Sequence, residues 1–505
     1  MKIISALLTL PLFLLMFVHT AYSSVVHADY QTETFKKLEE IRKDKKNDIL
    51  SRLRLVKDKV SDASNDPVLL KAFGDFAKHR RGTRSASIWL ERMGEMDAHY
   101  VQEYGEFYDI LFIAADGLVF HSIKMESDFM QNLFKGELAT SKLSRYLRKN
   151  PNTSFVDYDD YLPSKEPAAF FVRQIIKDGI HHGWIVFQFS INAINSTLSD
   201  HSKLGRTGEV YLTNTEKIMI SQSRLVPENT SLQLKVDTQA PDQALKGAMG
   251  SLLIPDYRGV MVFSSYEKFE FSGVVWIIIA EIDEDEVITD YYRTNKNDLL
   301  EPLFENLKLA ASHSIQPVKI EKAAVRVDIN EYGKAQAGKQ IVTYGVATCT
   351  AVIVTMSNQY TYLGHIYPLD DAYNSGLNKS FLNFGLWLRG KNLPERQRDL
   401  LGSMIERIKN YDVYPYQLNK LSVVLAAVHT NGFETTIDKL LDAGLFLSQI
   451  TVLHDPEKKS FNVVANAEKT SPVFAWNDNL NQNHKWSGIG QSLNLGRHIK
   501  SILND

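Results

Sequence analysis

Residues 109–120 read Asp-Ile-Leu-Phe-Ile-Ala-Ala-Asp-Gly-Leu-Val-Phe. An apolar run meets a corner at Asp116-Gly117 and a second apolar run follows, the pattern of two strands around a tight turn. Downstream, Phe155–Tyr161, Ala168–Ile176 and His182–Phe189 read as further strands. A second set follows at Gly205–Leu212, Ile218–Arg224, Gly259–Tyr266 and Val274–Ile282. It repeats the logic of the first: a hairpin, a polar crossing and a paired hairpin. Upstream, Phe35, Leu38, Ile41, Ile49, Leu53, Val56 and Val60 recur at helical spacing, with Lys and Glu on the other faces. A second helical region spans about Val68–Tyr104. The expected fold class is mixed α+β, with a long N-terminal helix leading into antiparallel sheets.

The chain has 505 residues, 44% of them hydrophobic, and a formal net charge of −3. That is ample core for several domains, and near-neutral charge argues against nucleic acid as a partner. Met1-Lys2, an apolar run from Ile3 to Val18, and small residues around Ala21–Ala28 have the form of a secretory signal. The run is short for a membrane span, so the alternative is an uncleaved anchor. Residues 1–28 are therefore read as signal peptide or signal anchor. The expected location is periplasmic or secreted, with membrane contact only through that anchor.

Gly205–Leu212, Ile220–Arg224, the Asp256–Gly259 turn, Trp276 and Ala280–Asp283 resemble, in that order, the membrane-proximal half of a double Cache (PAS-like) domain. Tyr108–Ser122 with Lys124–Phe129 resembles the distal half. The resemblance implies an extracytoplasmic sensor over residues 29–300 that binds an amino acid, an amine or an organic acid. Asp157, Tyr158, Tyr161 and Phe170 are the candidate ligand residues, because aromatic walls with carboxylates suit a cationic group. Equally, these aspartates could cap a turn before Pro163. Gly208, Ser223, Arg224 and the Asp256–Gly259 turn read as fold-forming.

A helix at Asp298–Ser312 and a linker over 301–317 precede a third domain at 318–505. It contains the only cysteine, in Ile341–Pro368. A β-branched run leads into Cys349 and another leads out, and His365 follows on a third strand. A cysteine beside a histidine base can act as a nucleophile, while a lone cysteine among Val, Ile and Ala is ordinarily a small buried hydrophobe. Thr343, Gly345, Cys349 and His365 stand in a register that resembles the CheD family of chemoreceptor glutamine deamidases. Ala347-Thr348 replaces that family's Gly-Ser, and an insert at about Asp371–Pro394 departs from its pattern. The resemblance implies an α+β layered domain with Cys349 as nucleophile, His365 as base and Thr343 orienting the imidazole. It also implies a protein target with an exposed glutamine and needs no cofactor and no metal. The rest of the domain reads as a helix at Glu395–Tyr411, a strand at Leu421–Val428 and a helix at Glu434–Asp442. A hairpin of Leu445–Leu453 with Ser460–Asn466 follows. The rival reading is a non-catalytic binding protein whose last domain is a degenerate deamidase fold.

Overall fold

The computed structural model describes residues 4–79, 86–149, 154–310, 320–366, 400–413, 415–427, 433–454, 460–466, 475–476, 487–488 and 493–504. These fall into two compact units, Gln31–Glu284 and Asp285–Asp505 with Met1–Tyr30. Helix α1 runs from Ile4 to Asp62. The side chains of residues 1–29 lie outside the described residues, and with them the signal segment. Among the described residues no helix is long and apolar enough to cross a membrane.

In Gln31–Glu284, helices α2 (Pro67–His79) and α3 (Ala86–Glu103) follow α1. The first sheet contains β1 (Asp109–Ala114), β2 (Val119–Ser122), β3 (Phe155–Tyr161), β4 (Glu166–Lys177) and β5 (Ile180–Ser190). Its strand order is β2-β1-β5-β4-β3, and α4 (Lys142–Arg148) lies between β2 and β3 in the chain. Helix α5 (Asn192–Leu198) leads to the second sheet, where β6 (Glu209–Thr213) is followed by α6 (Gln239–Leu245). Strands β7 (Gly250–Pro255), β8 (Met261–Phe271) and β9 (Val274–Asp283) complete the order β6-β9-β8-β7. An isolated bridge, Thr213↔Met219, lies beside β6 where β2 lies beside β1. The two sheets therefore repeat one topology.

Close packing explains the chemistry of the corner and the crossing. Gly117 has φ +89°, and a Cβ there would meet the Phe134 ring at 2.4 Å. At Gly183 (φ +145°) a Cβ would meet the Ile113 carbonyl oxygen at 2.0 Å, so only glycine lets β5 approach β1.

Trp276, 1% exposed, ties the two sheets together. Its ring centroid lies 6.0 Å from those of Phe155 and Tyr158 and 5.9 Å from that of Phe269. Its indole N–H donates to Asp157 Oδ1 (2.8 Å).

The second unit opens with α7 (Glu284–Ala310). The backbone breaks from helical geometry at Asn295 (φ −119°), so the expected helix at Asp298–Ser312 corresponds to the second part of α7, and helix occupies residues 301–310 of the expected 301–317 linker. Glu284, Asp285 and Glu286 favour the positive end of a helix dipole, so the helix starts directly after β9. Next come β10 (Val325–Val327), β11 (Tyr332–Gln336), β12 (Gln340–Val346), β13 (Thr350–Met356) and β14 (Tyr360–Ile366). Helix α8 (Leu400–Tyr411), β15 (Leu421–Ala427), α9 (Phe433–Asp442), β16 (Ile450–His454), β17 (Phe461–Asn466), β18 (Leu493–Asn494) and α10 (Leu495–Asn504) complete the fold. One sheet has the order β11-β14-β13-β15-β16-β18, and a smaller one has β10-β12-β17. Ile341, Val463 and Ala465 of the small sheet pack with Ala351, Ile353, Leu363, Val424 and Ala426 of the large one. On the other face, Val354 lines a small apolar cavity together with Ile405 and Ile408 of α8 and Leu440 of α9. The unit is a layered α+β structure: small sheet, large sheet, helices. Together the two units give the mixed α+β class.

Two expectations are corrected. Leu445–Leu453 and Ser460–Asn466 do not form a hairpin: β16 pairs parallel with β15, and β17 pairs with β12 in the other sheet. Val463 and Ala465 are needed to close the inter-sheet core, while Val464 faces Val342 on the far side. Ile218–Arg224 makes only single bridges rather than a strand. There Ser221 Oγ takes the Leu212 N–H and Thr230 Oγ1 takes the Ser223 N–H, using side chains where a ladder would use carbonyls. The insert at Asp371–Pro394 lies outside the described residues.

Candidate functional site

Strand β1 begins with Asp109, whose register partner on β5 is Gln188; Gln188 in turn lies opposite Phe170 of β4. Side chains alternate along a strand, so Asp109 shares a face with Leu111 and Ile113, and Gln188 with Val186 and Trp184. That face is the first sheet's core, which also holds Phe170 and Tyr161. Two polar side chains thus stand at the end of an apolar face, and both are fully buried.

Asp109 Oδ1 accepts from the backbone N–H groups of Ile110 (2.7 Å) and Lys124 (3.0 Å). Among the described residues its Oδ2 has no hydrogen bond of good geometry, although the Ser122 hydroxyl stands close enough to favour the charged form, and neither amide atom of Gln188 has a partner. Asp128, also buried, accepts from the Tyr161 hydroxyl (2.8 Å) through Oδ2, while its Oδ1 has no partner among the described residues. Nearby, Tyr108 donates to Glu126 Oε1 (2.6 Å), with Lys124 Nζ 5.6 Å from the Tyr108 ring centre. Burial pushes the Asp109 carboxyl up to about 7, and the Asp128 charge adds to this; burial raises Asp128 as well. Buried polar atoms are nearly always paired. Four orphaned atoms on two acids and an amide, grouped at one end of a core, are the kind of lining a small polar ligand satisfies.

The four ligand residues expected from the sequence divide between the two faces of the first sheet. Tyr161 and Phe170 pack edge to face (4.9 Å) on the face that carries Asp109 and Asp128. Asp157 and Tyr158 turn toward the second sheet, where Asp157 is held by Trp276 and lies 3.6 Å from Lys142 Nζ. A register shift between Val156 and Asp159 produces this division. Asp109, Asp128 and Gln188 were not singled out from the sequence. The available signal was a single polar residue within each of two apolar runs, Asp109 in DILFIA and Gln188 in WIVFQF.

In the second unit, Thr343 and His365 meet between the two sheets. Thr343 Oγ1 donates to the Val327 carbonyl (2.7 Å), so its contact with His365 Nδ1 (2.7 Å) is an N–H donation from the imidazole. That fixes the Nδ1–H tautomer and leaves Nε2 as a bare acceptor, buried and without a partner among the described residues. Cys349 immediately precedes β13 and packs in the same core as Ala351, whose cross-strand partner is His365. No hydrogen bond joins Cys349 to His365 among the described residues. Burial pushes the thiol up to about 11 and the imidazole down to about 4, so both groups rest neutral. Iodoacetamide should therefore alkylate Cys349 slowly at pH 7. The rate should climb about tenfold per pH unit up to the thiol's pKa, because only the thiolate reacts. A rate that levels off below pH 8 would contradict this placement.

No family model matches the sequence, and no curated protein does. The chain is similar to solved sensory domains over about half its length. One is the ligand-binding domain of a Pseudomonas aeruginosa amino-acid chemoreceptor in complex with L-Arg, at 10% identity and TM-score 0.35, covering 52% of this chain and 94% of that one. A second is the periplasmic sensory domain of a Campylobacter jejuni chemoreceptor, at 12% identity and TM-score 0.34, covering 51% and 98%. The sensor domain of a V. cholerae histidine kinase matches at 13% identity and TM-score 0.33, covering 49% and 97%.

Proposed function

We propose that residues 29–300 form an extracytoplasmic double Cache-like sensor for a small cationic molecule, an amine or an amino acid. The observation that carries this reading is the orphaned buried set of Asp109, Asp128 and Gln188. An ammonium group would satisfy Asp109 Oδ2 and Asp128 Oδ1 and hold both carboxylates ionised, and the Gln188 amide would pair with a second polar group. Tyr161 and Phe170 supply apolar wall at the same end of the core. The signal reading of residues 1–28 would place the sensor in the periplasm, secreted or anchored. Thermal unfolding of the full chain against a panel of L-amino acids and simple amines tests it. Saturable stabilisation by a cationic member supports the sensor, and a flat response across the panel overturns it.

A second reading rests on the Thr343–His365 hydrogen bond: residues 318–505 act as a CheD-like glutamine deamidase. The Cys349 proton passes to His365 Nε2 as the sulfur bonds the carboxamide carbon of a glutamine side chain. Ammonia leaves with that proton, and water, deprotonated by His365, cleaves the thioester to a glutamate. Backbone N–H groups around Thr348–Thr350 would face the oxyanion. Ammonia release from a glutamine-rich protein such as casein, lost in Cys349→Ser and in His365→Ala, would support it. Equal release from all three proteins would refute it.

A further inference from the structure

The second sheet carries a polar pair at the position that Asp109 and Gln188 occupy in the first. Glu209, the first residue of β6, is the register partner of Glu281 on β9. Both are buried, at 2% exposure, and like charges placed directly opposite on a sheet repel. Here every carboxylate oxygen has a neutral hydroxyl partner, and Glu209 Oε2 also accepts from the Arg224 backbone N–H (3.3 Å). Ser264 Oγ (2.8 Å) and the Tyr211 hydroxyl (2.9 Å) donate to Glu281. Ser223 Oγ lies 2.8 Å from Glu209 Oε2, and the Tyr257 hydroxyl bonds Glu209 Oε1. Ser223 and Tyr257 also contact each other at 2.7 Å.

The ring of Glu209, Ser223 and Tyr257 has three oxygen–oxygen contacts, but the two hydroxyls supply only two hydrogens. A third proton completes it: Glu209 donates to Ser223, Ser223 to Tyr257, and Tyr257 back to Glu209. The surrounding charge agrees. Arg258, from the same turn as Tyr257, is engaged by Asp256 and Asp283. It is the cation that acts on Glu209, whereas Asp256 and Glu209 both act on Glu281 to favour its neutral form. Arg224 gives Glu209 its backbone N–H, and its guanidinium donates to the Gly205 carbonyl.

We propose that Glu209 and Glu281 hold a shared proton at neutral pH, and that this proton latches the Asp256–Gly259 turn onto the second sheet through Tyr257. Its loss as pH rises breaks the ring and frees the turn, so the module responds to alkalinity without a ligand.

Burial raises both acids, Glu281 to about 8. A raised carboxyl binds its proton more tightly in the folded than in the unfolded chain. Stability therefore falls as pH rises from the ordinary carboxylate range to about 8, by up to tenfold in the folding equilibrium per pH unit. The test is thermal unfolding of the full chain between pH 5 and 8.5, in the Asp109→Asn background so that the Asp109 carboxyl is silent. That background with Glu209→Gln, whose amide can donate to Ser223 and accept from Tyr257, should lose Glu209's share of this slope, keep the part set by the burial of Glu281, and be the more stable of the two at pH 8. An unchanged slope overturns the proposal. Infrared spectroscopy of the same background gives a second readout that does not depend on the variant folding. A protonated-carboxyl band is expected at pH 6 that fades by pH 9, and absence of that band at pH 6 also overturns it.

Discussion

Asp109→Asn should weaken binding of a cationic ligand about 100-fold, or about 2.7 kcal/mol, measured by calorimetric titration of the full chain at pH 8. Asparagine keeps the shape and the backbone hydrogen bonds of Asp109 but cannot carry the charge that an ammonium needs. The wild-type affinity should itself depend on pH. The Asp109 carboxyl is held up to about 7, so affinity should fall about tenfold per unit below pH 7 and level off above pH 8. Without ligand the sign reverses: the proton is bound more tightly in the folded state, and Asp109 contributes stability that is lost as pH rises from about 4 to 7. Asp109→Asn should flatten both dependences. An affinity indifferent to Asp109 and to pH would place the ligand elsewhere.

Trp276→Ala should destabilise the chain by ~3–5 kcal/mol, read as a lowered urea midpoint of the transition that involves Gln31–Glu284. The indole fills the contact between Phe155, Tyr158 and Phe269, and its N–H satisfies Asp157. Truncation leaves a cavity and strips the half-buried Asp157 carboxylate of a donor, so the cost combines both effects. Trp276→Phe should recover much of the packing but not the hydrogen bond. Leu55→Ala, at a 72% exposed position, is the control and should cost under about 0.5 kcal/mol. Equal effects of Trp276→Ala and Leu55→Ala would show that the two sheets do not depend on this contact.

The repeated sheets were legible because strand alternation and glycine corners are local signals. DILFIA, Asp116-Gly117 and the second apolar run became β1, its turn and β2 as read. Pairing between distant strands is not local, which is why β16 and β17 read as a hairpin but enter different sheets. At the candidate sites, Thr343 and His365 were legible as a pair and meet across the two sheets. Asp157 and Tyr158 stood out in an acidic, aromatic run, yet a register shift in β3 turns them away from Tyr161 and Phe170. Asp109, Asp128 and Gln188 emerge only once each strand's buried face is assigned, because a single polar residue in an apolar strand has no pattern of its own.

The central claim is that Gln31–Glu284 recognises a small cationic molecule at Asp109 and Asp128. Calorimetric titration of the full chain with the strongest stabiliser from the amine and amino-acid panel tests it most directly, run beside the Asp109→Asn/Asp128→Asn double variant. The account predicts one saturable site per chain in the wild type and no measurable heat in a folded double variant. Saturable binding of equal affinity in both proteins would contradict it.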